Sequence, residues 1–195
     1  MYKPFGCDGL YPANQVELHW PSKLALSPLD STLHIVDDSQ VIRLTSDMRL
    51  QVVAGYSQLC PPTQDNSTKE AHQIMFGPIM DIGFAPDGTL FVAEKTIEQK
   101  NVIRSISGQG QVKTVIGEGG NPECACDAGN CSACSSKGVL LSSQIRFSGL
   151  SAMAVSPGGR IHVADNKAFQ IFTIAADLPE LDQYGIVKIV DAISK

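Results

Sequence analysis

Three stretches of the chain share one alternation of apolar and polar positions. They are LHWPSKLALSPLDSTLHIVDD at 18–38, MFGPIMDIGFAPDGTLFVAEK at 75–95 and FSGLSAMAVSPGGRIHVADNK at 147–167. In each, an apolar-x-apolar run leads to Ser/Ala-Pro, then a turn, then a second apolar-x-apolar run ending in an acid. Alternation with period two predicts half-buried strands. PDGT at 86–89 and PGGR at 157–160 predict tight turns, because Pro presets φ and Gly accepts positive φ without strain. A third strand follows in QVIRLT and NVIRSIS, and a fourth in LQVVAG and VKTVIG. The last copy continues with FQIFTIA and then GIVKIVDAI.

Strands in fours, repeated along a chain, predict an all-β fold of β-propeller blades. The anchoring prolines, Pro28, Pro86 and Pro157, lie further apart than the roughly 40–50 residues of a propeller repeat. The excess sits between blades, in stretches rich in Pro, Gly, Ser and Cys. The expected organisation is the end of a preceding blade or loop at 1–17, a blade at 18–60 and an inter-blade insert at 61–74. A second blade follows at 75–117, a cysteine-rich insert at 118–146, and the last blade with its exit segment at 147–195. That is about two full four-stranded blades and part of a third, with long cysteine-bearing loops between them. Closed propellers need at least four blades, so the chain reads as a partial propeller, a fragment of something larger.

Four of six cysteines, Cys124, Cys126, Cys131 and Cys134, fall in ECACDAGNCSAC at 123–134, inside the second insert. Three chemistries compete for them. Zinc wants two pairs that converge tetrahedrally, commonly separated by a dozen or more residues; here the pairs are nearly adjacent and Cys-x-Cys is a tight bite. Cys131 and Cys134 form a Cys-x-x-Cys, but no strand–helix context of a thiol oxidoreductase surrounds it. Even count and loop placement favour disulfides in an oxidising compartment. Cys7 precedes the first blade and Cys60 leaves its last strand, so those two are expected to pair at one rim and the other four to pair locally.

The net charge of −5 is spread over scattered residues, unlike the clustered basic face that nucleic acid requires. No apolar run reaches the length of a membrane span. Asn66 in NST at 66–68 is a glycosylation sequon in a polar insert, and Asn130 in NCS at 130–132 is a second that competes with disulfide formation at Cys131. His34 and His162 occupy equivalent places in LHIVD and IHVAD, which marks them as parts of the blade pattern. Asp37, Glu94 and Asp165 are repeat-equivalent too, and residues that recur blade after blade are structural in character. Trp20 is expected to fill space between blades. No nucleophile elbow, Walker A loop or HExxH motif is present, so catalysis has no visible carrier and no cofactor is expected.

The segment C-D-G-x5-Q-V-E-L-H-W-P-S-K-L-A-L-S-P from Cys7 to Pro28, VVAGYSQLCPP at 52–62 and ECACDAGNCSAC resemble the NHL-repeat β-propeller of teneurins. LSAMAVSPGGRIHVADNKAFQIFTI at 150–174 resembles the last part of that propeller. The resemblance implies an extracellular, non-catalytic recognition module of a single-pass membrane protein, acting in cell–cell adhesion and signalling in the developing nervous system. It implies protein partners on apposed cells, either homophilic or latrophilin-type receptors. It also implies blade ion pairs between an acid ending the second strand and an Arg in the third. Asp37 with Arg43 and Glu94 with Arg104 fit that pattern, while the third copy has FQIF after Asp165 in place of the Arg. The alternative is a metal-binding NHL-like propeller enzyme, for which His34 and His162 leave a little room and Phe91 breaks the pattern.

Overall fold

In the computed structural model, the described residues are 9–56, 70–117, 139–141, 146–175 and 185–191, with side chains described in all but 139–141, 175 and 185–191. Their strands form three antiparallel sheets. The first sheet contains β1 (Tyr11–Pro12), β2 (Pro21–Leu26), β3 (Leu33–Asp37), β4 (Gln40–Leu44) and β5 (Arg49–Ala54), in the order β1-β5-β4-β3-β2. The second contains β6 (Ile79–Phe84), β7 (Leu90–Lys95), β8 (Asn101–Ile106) and β9 (Val112–Ile116), in chain order. The third contains β10 (Val139–Leu141), β11 (Leu150–Val155), β12 (Ile161–Asp165), β13 (Gln170–Ala175) and β14 (Gly185–Asp191), in the order β10-β14-β13-β12-β11. Each sheet is thus a four-strand meander, and GIVKIVDAI supplies the outermost strand of the third. Short segments ahead of the meanders run beside the outermost strand: Tyr11 opposite Leu50, Glu70 opposite Gln111 and Val139 opposite Val187.

The hairpins joining first and second strands follow their turn chemistry. Gly88 and Gly159 carry positive φ, the conformation Gly adopts without a Cβ clash. The first blade has one more residue here, and Ser31 takes the positive φ instead. The extra residue, Leu29, reaches across to the second blade: a Cβ on Gly88 would stand 2.4 Å from its Cδ1.

Alternation along each strand sends side chains to two faces, and the faces interleave. Val36, Val41 and Ala54 of the first sheet pack on Ile79, Ile82, Leu90, Val92 and Ile106 of the second. The opposite face of the second sheet, with Phe91, Ala93, Ile103 and Ile116, packs on Leu150, Met153, Ile161, Val163, Phe172 and Ile174 of the third. Each of the Val, Leu, Ile, Phe and Met side chains among these, taken fully out of water, contributes about 1.5–3 kcal/mol. The middle sheet is therefore buried on both faces, as a propeller blade is.

The remaining face of the first sheet is covered over its outer half by Tyr11, Ala13, Val16 and Leu18, which pack on Ile42, Leu50 and Val52. At β2 that face lies open among the described residues. Leu24 on β2 is 65% exposed, whereas its register equivalents Ile82 and Met153 are 4% and 7% exposed against a preceding sheet.

Candidate functional site

The acids that end the second strands are the most deeply buried charges described, and the three do the same job. Asp37 accepts the backbone N–H groups of His19 and Trp20. Glu94 accepts that of Gly77 at 2.8 Å. Asp165 accepts four, from Ser148, Gly149, Lys167 and Ala168. Each carboxylate staples the segment entering its blade to the end of the second strand. A buried carboxylate is tolerated when backbone donors satisfy its lone pairs. These groups are clamps, with both oxygens of each engaged.

The expected ion pairs separate by register. Arg104 lies opposite Val92, two residues from Glu94 and on the same face, and the two side chains form a salt bridge through Arg104 Nε and Glu94 Oε1. Arg104 Nη1 also donates to Thr114 Oγ1 at 3.2 Å. Arg43 lies opposite His34, three residues from Asp37 and on the opposite face. The pair of Asp37 with Arg43 expected from sequence is therefore not formed; Ile42 occupies the place that Arg104 holds in the second blade. Arg43 Nη2 donates instead to Gln51 Oε1 at 2.6 Å.

That shift builds a polar row. His34, Arg43 and Gln51 lie side by side across β3, β4 and β5, on the face turned to the second blade. The same row in the second blade is Phe91, Ser105 and Lys113, and Phe91 is 3% exposed in the seam with the third blade. With polar groups in place of that ring, the first seam holds a cleft of about 420 Å3. Its walls include the turn Ser27–Thr32, His72, Phe84 and the turn 107–110.

The cleft's groups have defined roles. His34 stands edge-on to Phe84, with ring centroids 4.7 Å apart. Its Nδ1 lies 3.3 Å from the Thr32 carbonyl, which keeps the proton on Nδ1 and leaves Nε2 an acceptor. Burial pushes its pKa below the ordinary imidazole value. His72 Nε2 lies 3.1 Å from the Val52 carbonyl, so that proton sits on Nε2. Arg43 Nε is buried without a partner among the described residues. Asp30, at the rim, is held ionised with a pKa of about 2, first by the Ser27 hydroxyl and then by the Thr32 hydroxyl and amide.

Other sequence candidates fare differently. Cys7, Cys60, Cys124, Cys126, Cys131 and Cys134 lie outside the described residues, as do Asn66 and Asn130. Trp20 is exposed and does not fill space between blades; its backbone amide serves Asp37 while the indole faces solvent. His162 Nδ1 pairs with Thr173 Oγ1 at 2.8 Å. No cluster of three metal-ligating side chains occurs among the described residues. Sequence reasoning missed Gln51 and the cleft as a whole. The available signal was a polar side chain at matched positions of three neighbouring strands, where the second blade has Phe91.

Repeated four-strand sheets that pack face to face define a propeller module of NHL type. The Teneurin NHL domain family matches residues 1–175, and the chain belongs to the teneurin family. It is 32% identical over 181 residues to Teneurin-m of Drosophila melanogaster, covering 92% of this chain and 6% of that protein. It is 28% identical over 195 residues to Teneurin-3 of Danio rerio, covering 99% of this chain and 7% of that protein. The chain thus spans under a tenth of the length of these curated relatives. Among solved structures, a Bacteroides thetaiotaomicron protein of unknown function superposes with a TM-score of 0.54 at 14% identity, over 87% of this chain and 35% of that one. That likeness concerns fold alone.

Proposed function

We infer that the chain is a non-catalytic recognition module on the outer face of a cell, acting in adhesion and signalling between cells of the developing nervous system. Membership of the teneurin family, over residues 1–175, is the observation that carries this reading. The six cysteines, four of them gathered in one insert, support an oxidising compartment. Partners are proteins on the apposed cell, either a second teneurin or a latrophilin-type receptor. The buried acids support a binding role over a catalytic one, because backbone amides occupy all three.

Two measurements test the reading. Mass spectrometry of the secreted chain, alkylated before and after reduction, is expected to find all six cysteines blocked until reduced. Free alkylation of the four clustered thiols after chelation would instead assign them to a metal site. For adhesion, non-adherent cells displaying the chain on a heterologous anchor are mixed with cells displaying a teneurin or a latrophilin-type receptor. Mixed aggregates are expected, and dispersed cells in every pairing would overturn the adhesion reading.

A further inference from the structure

The cleft between the first two blades has the chemistry of a carboxylate site. A propeller seam is stabilised by apolar contact, and the second seam fills this place with Phe91. The first seam instead places His34, Arg43 and Gln51 in a row. Gln51 holds one end of the guanidinium at 2.6 Å, so the planar group is oriented before any ligand arrives. Pre-organisation of this kind lowers the ordering cost of binding. Hydrogen bonds from Arg to a carboxylate are charge-assisted and directional.

We propose that this cleft receives the carboxylate of an aspartate or glutamate side chain presented by a protein partner, with Arg43 as its anchor. The proposal deepens the recognition reading above and rests on it for the source of the side chain. Three features set the specificity. Arg43 supplies the positive charge. Phe84, Leu29 and Leu90, together in the wall, contact the methylenes that carry the acid. Asp30 stands ionised at the mouth and offsets part of the Arg43 charge, so the site holds little net positive charge with which to favour a more highly charged anion. A single carboxylate carried on methylenes from a neutral peptide backbone matches the one guanidinium and the apolar wall together. An arginine in a partly desolvated pocket is also the kind of residue that dominates interface energetics.

The test uses the full 195-residue chain and three probes: N-acetyl-glutamate N-methylamide, its glutamine counterpart, and succinate. Chemical shifts of the Arg43 Nε–Hε group and the His34 ring are followed by NMR. The glutamate probe is expected to give saturable shifts at both residues, the glutamine probe none, and succinate weaker binding than the glutamate probe. Gln51→Glu is expected to weaken the glutamate probe by about tenfold or more, since an internal carboxylate then occupies Arg43. Asp30→Asn keeps the turn's acceptor oxygen and is expected to tighten it.

Equal response to the glutamine probe would overturn the proposal, as would unchanged binding in Gln51→Glu. Tighter binding of succinate would assign the cleft to a free acid instead of a partner's side chain. Because these shifts need no second cell, probe binding can persist where cell aggregation fails, and the two readings fail separately.

Discussion

Arg104 pairs with Glu94 within the second blade, whereas Arg43, one register step away in the first, turns to the opposite face and pairs with Gln51. The same residue type in the same strand of two repeats therefore serves two purposes. In one blade it neutralises a buried acid, and in the other it enters a seam. The difference sets the first prediction. Removing one partner of a buried pair costs about 3–5 kcal/mol, because the other is left charged and unpaired. Glu94→Ala and Arg104→Met should each lose stability on that scale in urea unfolding, and the double variant should lose less than the sum. Arg43→Met should lose far less, since its partner is a neutral amide.

The acid clamps differ in how many donors they hold. Asp165 accepts four backbone amides and Asp37 two. Hydrogen bonds to a charged group contribute about 1.5–3 kcal/mol each. Asp165→Ala should therefore destabilise more than Asp37→Ala. Hydrogen exchange gives the local check: the Ser148 and Gly149 amides should lose protection in Asp165→Ala, and the Trp20 amide should lose it in Asp37→Ala. Equal loss at all three amides in both variants would mean that the clamps act only through global stability.

Gly77 passes so close to the end of β7 that a Cβ there would lie 1.9 Å from the Lys95 carbonyl oxygen. Its amide is also the donor to Glu94. Gly77→Ala must move backbone against backbone, so a loss of at least about 1–3 kcal/mol is expected from overpacking. A melting temperature unchanged from the parent would show that this segment shifts freely.

His34 makes stability depend on pH. Burial holds its folded pKa below the unfolded value, against opposing help from the Thr32 carbonyl, with Arg43 adding to the depression and Asp30 opposing it. Above the unfolded value of about 6.5, His34 is neutral in both states and its contribution is complete. As pH falls from there through the lower folded pKa, the unfolded chain takes up the proton first, and stability falls. His34→Phe, which restores the residue type found at Phe91, should flatten urea stability across this window relative to the parent.

On the face of the first sheet left open at β2 among the described residues, Leu24 and Leu26 are both exposed. Contiguous exposed apolar surface beside an edge strand promotes association. Leu24→Glu with Leu26→Glu should lower the sedimentation-detected self-association of this chain without lowering its melting temperature.

Much of the fold was legible from local pattern. Period-two alternation in LALS, DIGFA and SAMAVS locates the inner strands, and Pro followed by Gly locates the turns at Gly88 and Gly159. The repeat of these features makes the propeller readable, because each blade solves the same packing problem with the same local chemistry. The acids were legible as structural for the same reason: Asp37, Glu94 and Asp165 recur. Their partners were not, because a backbone amide seventeen residues upstream leaves no mark on side-chain type.

By itself, then, the amino-acid sequence determined the strand pattern, the turns, the repeat and the family. All of these arise from neighbours along the chain, where alternation and turn preference act directly. Tertiary structure decided which side of a sheet each polar residue serves. Asp37 and Arg43 resemble Glu94 and Arg104 in order and type, yet a single step of register sends Arg43 to the other face, since side chains alternate with period two. It also decided that His34, Gln51 and His72 share a cleft with residues of the second blade. That juxtaposition arises from the packing of two sheets, and packing between sheets is set by register and burial summed over both, not by any one stretch of sequence.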